Sequence, residues 1–268
     1  MTTYKIGEVS RVFGIPNETL RYYESRGIIT PKRDEESGYR YYDVWEMNYL
    51  LDSLWYRSYG FSLADVASML YSDDLRTFDA RCLQREAELT ETIERYRRIL
   101  MCLAEHRRRL SEIDQDIGKL SVVNSPEMVW QRQREQSVLE KGESAAHIRQ
   151  WVELLPLVKH TFLLPETKPV EGEFKDYCWG FSATLEIVNA CNIQLPSGAE
   201  HIPSYRSIYT VFTAGGEGTF MTAFHKQVIE PIKKAGCIPT HPPVGNLLVR
   251  THENGEMKRF FEVWVPIE

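Results

Sequence analysis

A seven-residue repeat of apolar side chains between Asp74 and Leu120 constrains the architecture of this chain more than any other feature. Every seventh position is apolar or small, namely Leu75, Cys82, Leu89, Tyr96, Leu103, Leu110 and Ile117, with Phe78, Ile93, Ile99, Leu100 and Ile113 between them. Such a repeat keeps one stripe of a helix facing one partner helix along its length. We therefore predict a coiled-coil helix over residues 73–120 that joins two copies of the chain. The alternative is a long helix that lies on its own domain.

This helix would separate an N-terminal module, residues 1–72, from a C-terminal module, residues 121–268. A chain of 268 residues with 43% hydrophobic content can bury more than one core. It has no run of eighteen apolar residues, and its N-terminus lacks the apolar core of a signal peptide. We therefore expect a cytoplasmic protein with no membrane partner. The five scattered cysteines indicate reduced thiols, not a disulfide framework.

The first 72 residues are not basic, and the whole chain carries a net charge of −6. Bulk charge therefore gives no support to nucleic-acid binding, and any such inference depends on where the arginines lie. Apolar residues recur at helical spacing from Ile6 to Phe13, residues 14–17 break that helix, and a second helix follows from about Glu18 to Glu24. Two short helices joined by a glycine-containing turn indicate a helix-turn-helix. Polar groups suited to base edges and phosphates lie off the Leu20 stripe at Asn17, Thr19, Arg21 and Tyr22.

A β-hairpin wing is predicted next, because the polar turn 34–38 separates two short extended segments, 30–33 and 39–42. The second segment carries Tyr39, Arg40 and Tyr41, which combine charge and phenol donors suited to a phosphate backbone. Helices are predicted at about 43–59 and 63–70, with Gly60 and Ser62 as caps and Arg57 just before the turn. Any one of these residues alone is more often a solvated surface group, but their ordered combination is specific.

The segments IGEVSRVFGI, LRYYESRGII, GYRYYD and YGFSLADVASML, followed by the long helix, resemble the MerR family of bacterial transcription regulators over about residues 4–118. The resemblance implies a winged-helix homodimer joined by an antiparallel coiled coil. It also implies binding to a palindromic promoter whose −35 to −10 spacer is too long for RNA polymerase holoenzyme, and activation by bending and untwisting that DNA. The implied DNA contacts are Arg21, Tyr22, Tyr39, Arg40, Tyr41 and Arg57, to which helix geometry adds Asn17 and Thr19. One departure is Pro16, where the family often has Ser; proline fits a helix start but supplies no side-chain cap.

Metal and redox sensors of this family place cysteines at the start of the dimer helix and in the loop after it. Cys82 lies near the first position, but residues 118–126 contain no Cys or His to complete a site. One thiolate cannot build a soft-metal centre, so we predict no metal and no cofactor. Cys82 is better explained as a small residue of the helix seam.

The C-terminal module is predicted to be an α+β domain with an antiparallel sheet. Helices are expected at 144–159 and 220–235, and a strand running into a helix at 177–188. Further strands are expected at 205–213, 247–251 and 259–266, the last two joined by the turn Glu253-Asn254-Gly255-Glu256. The whole chain is thus predicted to be a multi-domain α+β protein.

Aromatic residues crowd into these elements, and strand alternation places Phe260, Glu262 and Trp264 on one face and Phe261, Val263 and Val265 on the other. A carboxylate between two aromatic rings suits a lipophilic cation. The alternative is that Glu262 simply faces water above a core formed by the Phe261 face. The predicted ligand-binding residues are Tyr177, Trp179, Phe181, Tyr209, Phe224, Phe260, Glu262 and Trp264.

The order of elements and the closing strand FFEVWVPI resemble the GyrI-like effector-binding domain of the multidrug-sensing branch of the MerR family. In that branch an acidic residue on the penultimate strand meets the cation, and the corresponding position here is Asn246. The resemblance then requires Glu262 or Glu186 to take that role. It implies a ligand-responsive activator whose effector is a lipophilic, cationic small molecule, and not an enzyme.

Two other hypotheses remain. The C-terminal domain could be a small-molecule hydrolase, although Cys178, His201 and His225 are not connected by any catalytic motif. The protein could also be a DNA-architectural regulator with a vestigial pocket.

Overall fold

The computed structural model describes residues 2–135, 138–139, 142–165, 176–253 and 255–268. The chain divides into two compact units, Met1–Glu94 and Arg95–Glu268, and the division falls within the long helix. Each unit is described by itself. The domain boundaries at residues 72 and 120 stay a prediction.

The first unit contains the predicted helix-turn-helix and wing. Its elements are β1 (Tyr4–Lys5), α1 (Ile6–Phe13), α2 (Asn17–Ser25), β2 (Lys32–Arg33), β3 (Arg40–Tyr42), α3 (Val44–Ser58) and α4 (Leu63–Tyr71). The three strands form a small antiparallel sheet in the order β1-β3-β2. The wing hairpin and both later helices are therefore confirmed close to their predicted positions.

Local chemistry explains where these helices begin and end. Gly14 ends α1 in the left-handed conformation at φ 66°, which a residue with a Cβ adopts at a cost. Asp43 caps α3 by accepting hydrogen bonds from two backbone amides, and Ser62 and Asp65 form a capping box on α4. Pro16 precedes α2 and makes no side-chain cap, as its chemistry requires. Apolar side chains from all four helices and the sheet then close one core, which includes Val9, Leu20, Ile28, Ile29, Tyr42, Leu50 and Val66.

Helix α5 (Leu75–Asp116) is a single helix of 42 residues, close to the predicted span. Near its start, Phe78 and Cys82 pack against the core of the first unit. The middle of the predicted seam is exposed, with accessible fractions of 41% at Leu89, 62% at Tyr96 and 52% at Leu103. Towards its end the helix packs on its own unit, because Leu110 and Ile113 lie in a cluster with residues of the sheet. The alternative of a helix that lies on its own domain therefore holds for that part of the predicted seam. The coiled coil itself stays a prediction.

The second unit is an α+β fold, as predicted. Its elements after α5 are β4 (Ser121–Asn124), β5 (Met128–Glu135), β6 (Val138–Leu139), α6 (Glu143–Glu153), β7 (Lys159–Leu163), β8 (Cys178–Thr184), α7 (Leu185–Ala190), β9 (Glu200–Ile202), β10 (Arg206–Ala214), α8 (Phe220–Phe224), a π-helical segment (His225–Ile229), α9 (Glu230–Lys234), β11 (Val244–Glu253) and β12 (Glu256–Pro266). Within the described residues, nine of these strands form one antiparallel sheet in the order β4-β10-β12-β11-β7-β8-β5-β6, with β9 paired to β5.

Strand alternation on β12 is confirmed. Phe261, Val263 and Val265 are fully buried in a core formed with the helical segment 220–234. Phe260 and Trp264 belong to a separate cluster on the other face, which contains Ile113 at the end of α5. The sheet is therefore covered by different helices on its two faces.

One prediction for this unit is wrong in detail, and two strands were not foreseen. The helix predicted at 144–159 ends at Glu153, and Lys159 instead opens strand β7. The segment 121–135 forms strands β4 and β5, which were not predicted. In the predicted closing turn, Asn254 lies outside the described residues, although Glu253 and Glu256 pair across the end of the hairpin.

Among the described helices, none is both long and apolar enough to cross a membrane.

Candidate functional site

The recognition-helix candidate is α2, whose buried side is anchored by Leu20 and Tyr23. Asn17, Arg21 and Tyr22 lie on its exposed side, while Thr19 is half-buried. The predicted polar groups of this helix therefore share a surface that a partner can reach. An amide, a guanidinium and a phenol on one helix face can contact base edges and phosphates in a major groove.

The wing is held to α2 by ion pairs. Glu24 on α2 accepts hydrogen bonds from Arg40 Nε at 2.6 Å and from Arg33 Nη2 at 2.7 Å. Partial burial opposes ionisation, but these two guanidinium groups outweigh it and lower the pKa of the Glu24 carboxyl. Arg40 thus fixes the wing against the helix with its Nε. Tyr39 stays 63% exposed at the hairpin end, and Tyr41 is half-buried.

Arg57 has a structural contact that the sequence did not reveal. Its Nη1 donates a hydrogen bond to the carbonyl oxygen of Phe61, across the turn between α3 and α4. Its side chain remains exposed at the surface of that turn. Arg57 therefore stabilises the turn between α3 and α4 and is also accessible to a partner.

A cavity of about 970 Å³ opens in the second unit between the C-terminal half of α5 and the sheet. Its apolar lining comes from α5, the loop before β7, the sheet strands and α7, and includes Ile99, Met101, Leu103, Val123, Met128, Leu157, Val158, Ile187, Leu248 and Trp264. Its polar lining includes Arg109, Lys159, Tyr209, Asn246 and Glu262. A large apolar cavity with a few polar groups at one place is typical of a small-molecule site.

Glu262 is the centre of the polar group, and it is only 1% exposed. Its Oε2 lies 2.7 Å from Arg109 Nη2, and its Oε1 accepts a hydrogen bond from Asn246 Nδ2 at 2.8 Å. Asn246 Oδ1 in turn accepts one from Thr161 Oγ1 at 2.7 Å, and Ser182 lies 2.6 Å from the same hydroxyl. Glu262, Asn246 and Thr161 are directly opposite one another on three neighbouring strands. Cross-strand register therefore builds this network.

Burial and charge tune the ionisable groups around the cavity. Burial opposes the charged form of Arg109, but Glu262 outweighs it and raises the pKa of the guanidinium. Burial, reinforced by Glu262, raises the pKa of Tyr209 to about 12, so its phenol stays protonated at neutral pH. Burial also lowers the pKa of His160 to about 4, with Arg134 and Arg250 adding to the effect. The imidazole of His160 is therefore neutral at pH 7, and it stacks on Trp179 at 4.4 Å between ring centroids.

The structure separates the eight predicted ligand-binding residues into two groups. Tyr209, Glu262 and Trp264 line the cavity together. The others lie elsewhere: Tyr177, Trp179 and Phe224 in the core beneath the helical segment 220–234, Phe181 in the core under α6 and α7, and Phe260 in the cluster that contains Ile113. Those five are packing residues in this structure. Strand alternation could not distinguish a core face from a cavity face, because both are apolar.

Arg109, Lys159 and Asn246 are the functional candidates that the sequence did not single out as ligands. Arg109 lies among several arginines of a long helix, and no feature of the surrounding sequence distinguishes it from them. Glu186, the alternative counter-ion, does not line the cavity. Among the described residues no group of three or more His, Cys, Asp or Glu side chains is arranged to hold a metal ion.

A wing packed on a helix-turn-helix whose second helix exposes polar and cationic side chains defines a regulatory DNA-binding module of the winged-helix class. Residues 4–73 match the model of the MerR HTH family regulatory proteins. The chain is 31% identical over 94 residues to the HTH-type transcriptional regulator CueR of Escherichia coli O6:H1, which covers 33% of this chain and 70% of CueR. The chain belongs to the MerR family of transcriptional regulators.

Other similarities cover different shares of the proteins concerned. The HTH-type transcriptional activator TipA of Streptomyces coelicolor is 32% identical over 87 residues, a match that spans 32% of this chain and 34% of TipA. This chain therefore matches only about a third of the length of that relative. A cryo-EM structure of an EcmrR–DNA complex in EcmrR-RPo aligns over 99% of both chains at 14% identity, with a TM-score of 0.38.

Proposed function

We propose that this protein is a ligand-responsive transcription activator that binds a palindromic promoter as a homodimer. The observation that carries the proposal is the exposed polar face of α2 beside the wing, in a chain of the MerR family. Asn17, Thr19, Arg21 and Tyr22 read the major groove or its phosphates, and Tyr39, Arg40, Tyr41 and Arg57 grip the backbone. Backbone contacts position such a module, and base contacts specify its sequence.

The dimer forms through α5 as an antiparallel coiled coil. Its support is the exposed apolar side chains Leu89, Ile93, Tyr96 and Leu100, which lie outside the cavity on a helix with a seven-residue repeat. Burying such a stripe against a second copy removes apolar surface from water. Two DNA-binding modules are then held at a set spacing, which matches a two-fold symmetric site.

Activation follows from distortion of an overlong promoter spacer, so that RNA polymerase holoenzyme can engage both promoter elements. Bending and untwisting a duplex costs several kcal/mol. A dimer that contacts the DNA backbone at two places can supply this energy and hold the DNA in either a relaxed or a distorted conformation. An effector that binds one conformation of the dimer more tightly than the other then shifts the DNA towards the corresponding conformation.

The effector site is the cavity in the second unit, and the effector is a lipophilic small molecule. The proposed class of this unit is the GyrI-like effector-binding domain. The volume and the apolar lining support binding of a drug-sized molecule, and they argue against a vestigial pocket. The residues considered for a hydrolase, Cys178, His201 and His225, do not line this cavity, which argues against hydrolysis there.

Selection of bound fragments from a library of genomic promoter fragments, followed by footprinting and in vitro transcription from the selected promoter, tests the proposal. The expected footprint is palindromic and lies between the −35 and −10 elements. Absence of any protected site would refute the DNA-binding function, and a protected site with no effect on transcription would refute activation.

A further inference from the structure

The carboxylate of Glu262 is already occupied on both oxygens. Oε2 accepts a hydrogen bond from Arg109 Nη2 at 2.7 Å, and Oε1 accepts one from Asn246 Nδ2 at 2.8 Å. Lys159 Nζ lies 3.6 Å from Oε1 as well. A cationic ligand would therefore not find an uncompensated negative charge at this site.

Arg109 is not easily displaced. Its side chain is 15% exposed, and its two terminal nitrogens contact Glu112 at 3.0 Å, Glu262 and the Tyr209 hydroxyl. A ligand cation that took its place at Glu262 would leave a guanidinium with fewer partners in a poorly solvated position, which is costly. The site therefore contains its own counter-ion.

Lys159 differs from the other charged groups around the cavity. Arg108 is held by Glu105 and Glu112, each at 2.6 Å, so all three carboxylates near the cavity are engaged by arginines. Lys159 is 46% exposed, and within the described residues its ionic contact is the 3.6 Å approach to Glu262, which is longer than a hydrogen bond. Its ammonium group has three donors, so it can bind an acceptor that enters the cavity.

We propose that the cavity selects an amphipathic ligand with an anionic, carboxylate-type end, bound by Lys159, and an apolar body lying against Val158, Leu248 and Trp264. This inference rests on the proposed role of the cavity as effector site, and it replaces the lipophilic cation expected from the sequence. Glu262 is already paired with Arg109 and lies close to Lys159, so it offers no free negative charge to a ligand. The neutral imidazole of His160 adds no charge at pH 7.

Calorimetry on the full-length protein with three matched probes tests the charge preference. The probes are biphenyl-4-acetate, biphenyl-4-acetamide and 2-(biphenyl-4-yl)ethylammonium, which share an apolar body. Because the Lys159 ammonium can form a charge-assisted hydrogen bond with the probe carboxylate, we expect the carboxylate to bind at least about tenfold more tightly than the ammonium probe. The amide should bind with intermediate affinity. Tighter binding of the ammonium, or no binding of any probe, would overturn the proposal.

Two substitutions locate the effect. Lys159→Met is expected to weaken binding of biphenyl-4-acetate about tenfold and to leave the amide unchanged, whereas Lys226→Met, at an exposed lysine outside the cavity, changes neither. Glu262→Gln is expected to strengthen binding of the carboxylate, because it removes a nearby negative charge. Equal losses for all probes in Lys159→Met, or weaker carboxylate binding in a folded Glu262→Gln variant, would contradict the assignment.

Footprinting of the same protein preparation separates this inference from the proposed function. A protected promoter without the carboxylate preference refutes the inference alone. Binding of the carboxylate without any protected DNA refutes the proposed function and supports the ligand class.

Discussion

Arg109 Nη2 and Glu262 Oε2 lie 2.7 Å apart, and their salt bridge joins the end of α5 to strand β12 across 153 residues of sequence. The Glu262 side chain is 2% exposed and that of Arg109 15%. Removing one member of such a pair leaves a buried charge without its partner, whereas an exposed pair contributes little.

Arg109→Met is therefore expected to lower the free energy of unfolding by about 3 kcal/mol, measured by urea denaturation of the full-length protein. Lys159 and Asn246 still contact Glu262, which limits the loss. The neighbouring Arg108 is the matched control, because its pairs with Glu105 and Glu112 lie at the helix surface. Arg108→Met should cost no more than about 1 kcal/mol, and equal losses at the two positions would contradict a buried pair.

The double variant Arg109→Met with Glu262→Gln gives a second test of the same pair. Once both charges are removed, no uncompensated carboxylate remains, so the double variant should recover more than half of the stability lost in Arg109→Met. Additive losses would show that the two side chains stabilise the fold independently.

The lowered pKa of His160 should make the free energy of unfolding depend on pH. Its pKa falls from 6.5 to about 4 on folding, so between these values the unfolded chain binds more protons than the folded one. The His160 contribution therefore lowers stability as the pH falls from 6.5 towards 4, by roughly 3 kcal/mol in total. In His160→Gln this part of the pH dependence should disappear from urea-unfolding curves, while His252→Gln, at an exposed histidine, should retain it. Identical pH profiles for wild type and His160→Gln would contradict the assignment.

Arg21 predicts a salt dependence of DNA binding. If its guanidinium contacts a phosphate, Arg21→Ala should weaken binding to every sequence similarly and reduce the slope of log K against log salt by about one per site. Fluorescence anisotropy over a salt series measures both quantities. Arg76→Ala, at an exposed arginine at the start of α5, serves as the control. An unchanged slope in Arg21→Ala would exclude a phosphate contact.

Leu89 tests the proposed dimer helix. It lies on the exposed apolar stripe of α5, and a charge placed there would be buried against a partner helix. Leu89→Glu is expected to raise the dimer dissociation constant by about two orders of magnitude in sedimentation velocity. Thr90→Glu carries the same charge one position off the stripe and should leave the dimer intact. A monomeric wild-type protein would refute the dimer.

The first unit could be predicted almost entirely from the sequence, because its elements are short and their ends are marked by local chemistry. Gly14 ends a helix in a conformation that glycine adopts freely, and Asp43 and Ser62 begin helices by capping their own backbone. The wing turn follows from the polar run 34–38, whose Asp34 side chain accepts a hydrogen bond from the Ser37 amide. Each of these interactions joins residues only a few positions apart, so a short stretch of sequence is enough to predict it.

The second unit was predicted less completely, because its sheet pairs strands that are distant in sequence. β4 and β5 are paired with β10 and β8, which lie more than 40 residues further along the chain, and this pairing gives them their conformation. The helix predicted to include Lys159 ends early for a local reason, because Pro156 cannot continue a helix. Beyond it, β7 is paired on both sides by β8 and β11. Tertiary context overrides a weak local preference in such segments.

The sequence by itself determined the helix-turn-helix, the wing, the continuous α5 with its apolar repeat, and the alternation of faces on β12. Only the tertiary structure decided what Glu262 faces, because residues from α5, β7 and β11 meet it through register and packing, not through spacing along the chain. Periodicity predicts which side of a strand a residue occupies, but the charge of its neighbours depends on long-range contacts. For this reason Glu262, which the sequence suggested as a counter-ion for a cationic ligand, instead lies beside two cationic side chains of the protein itself, Arg109 and Lys159.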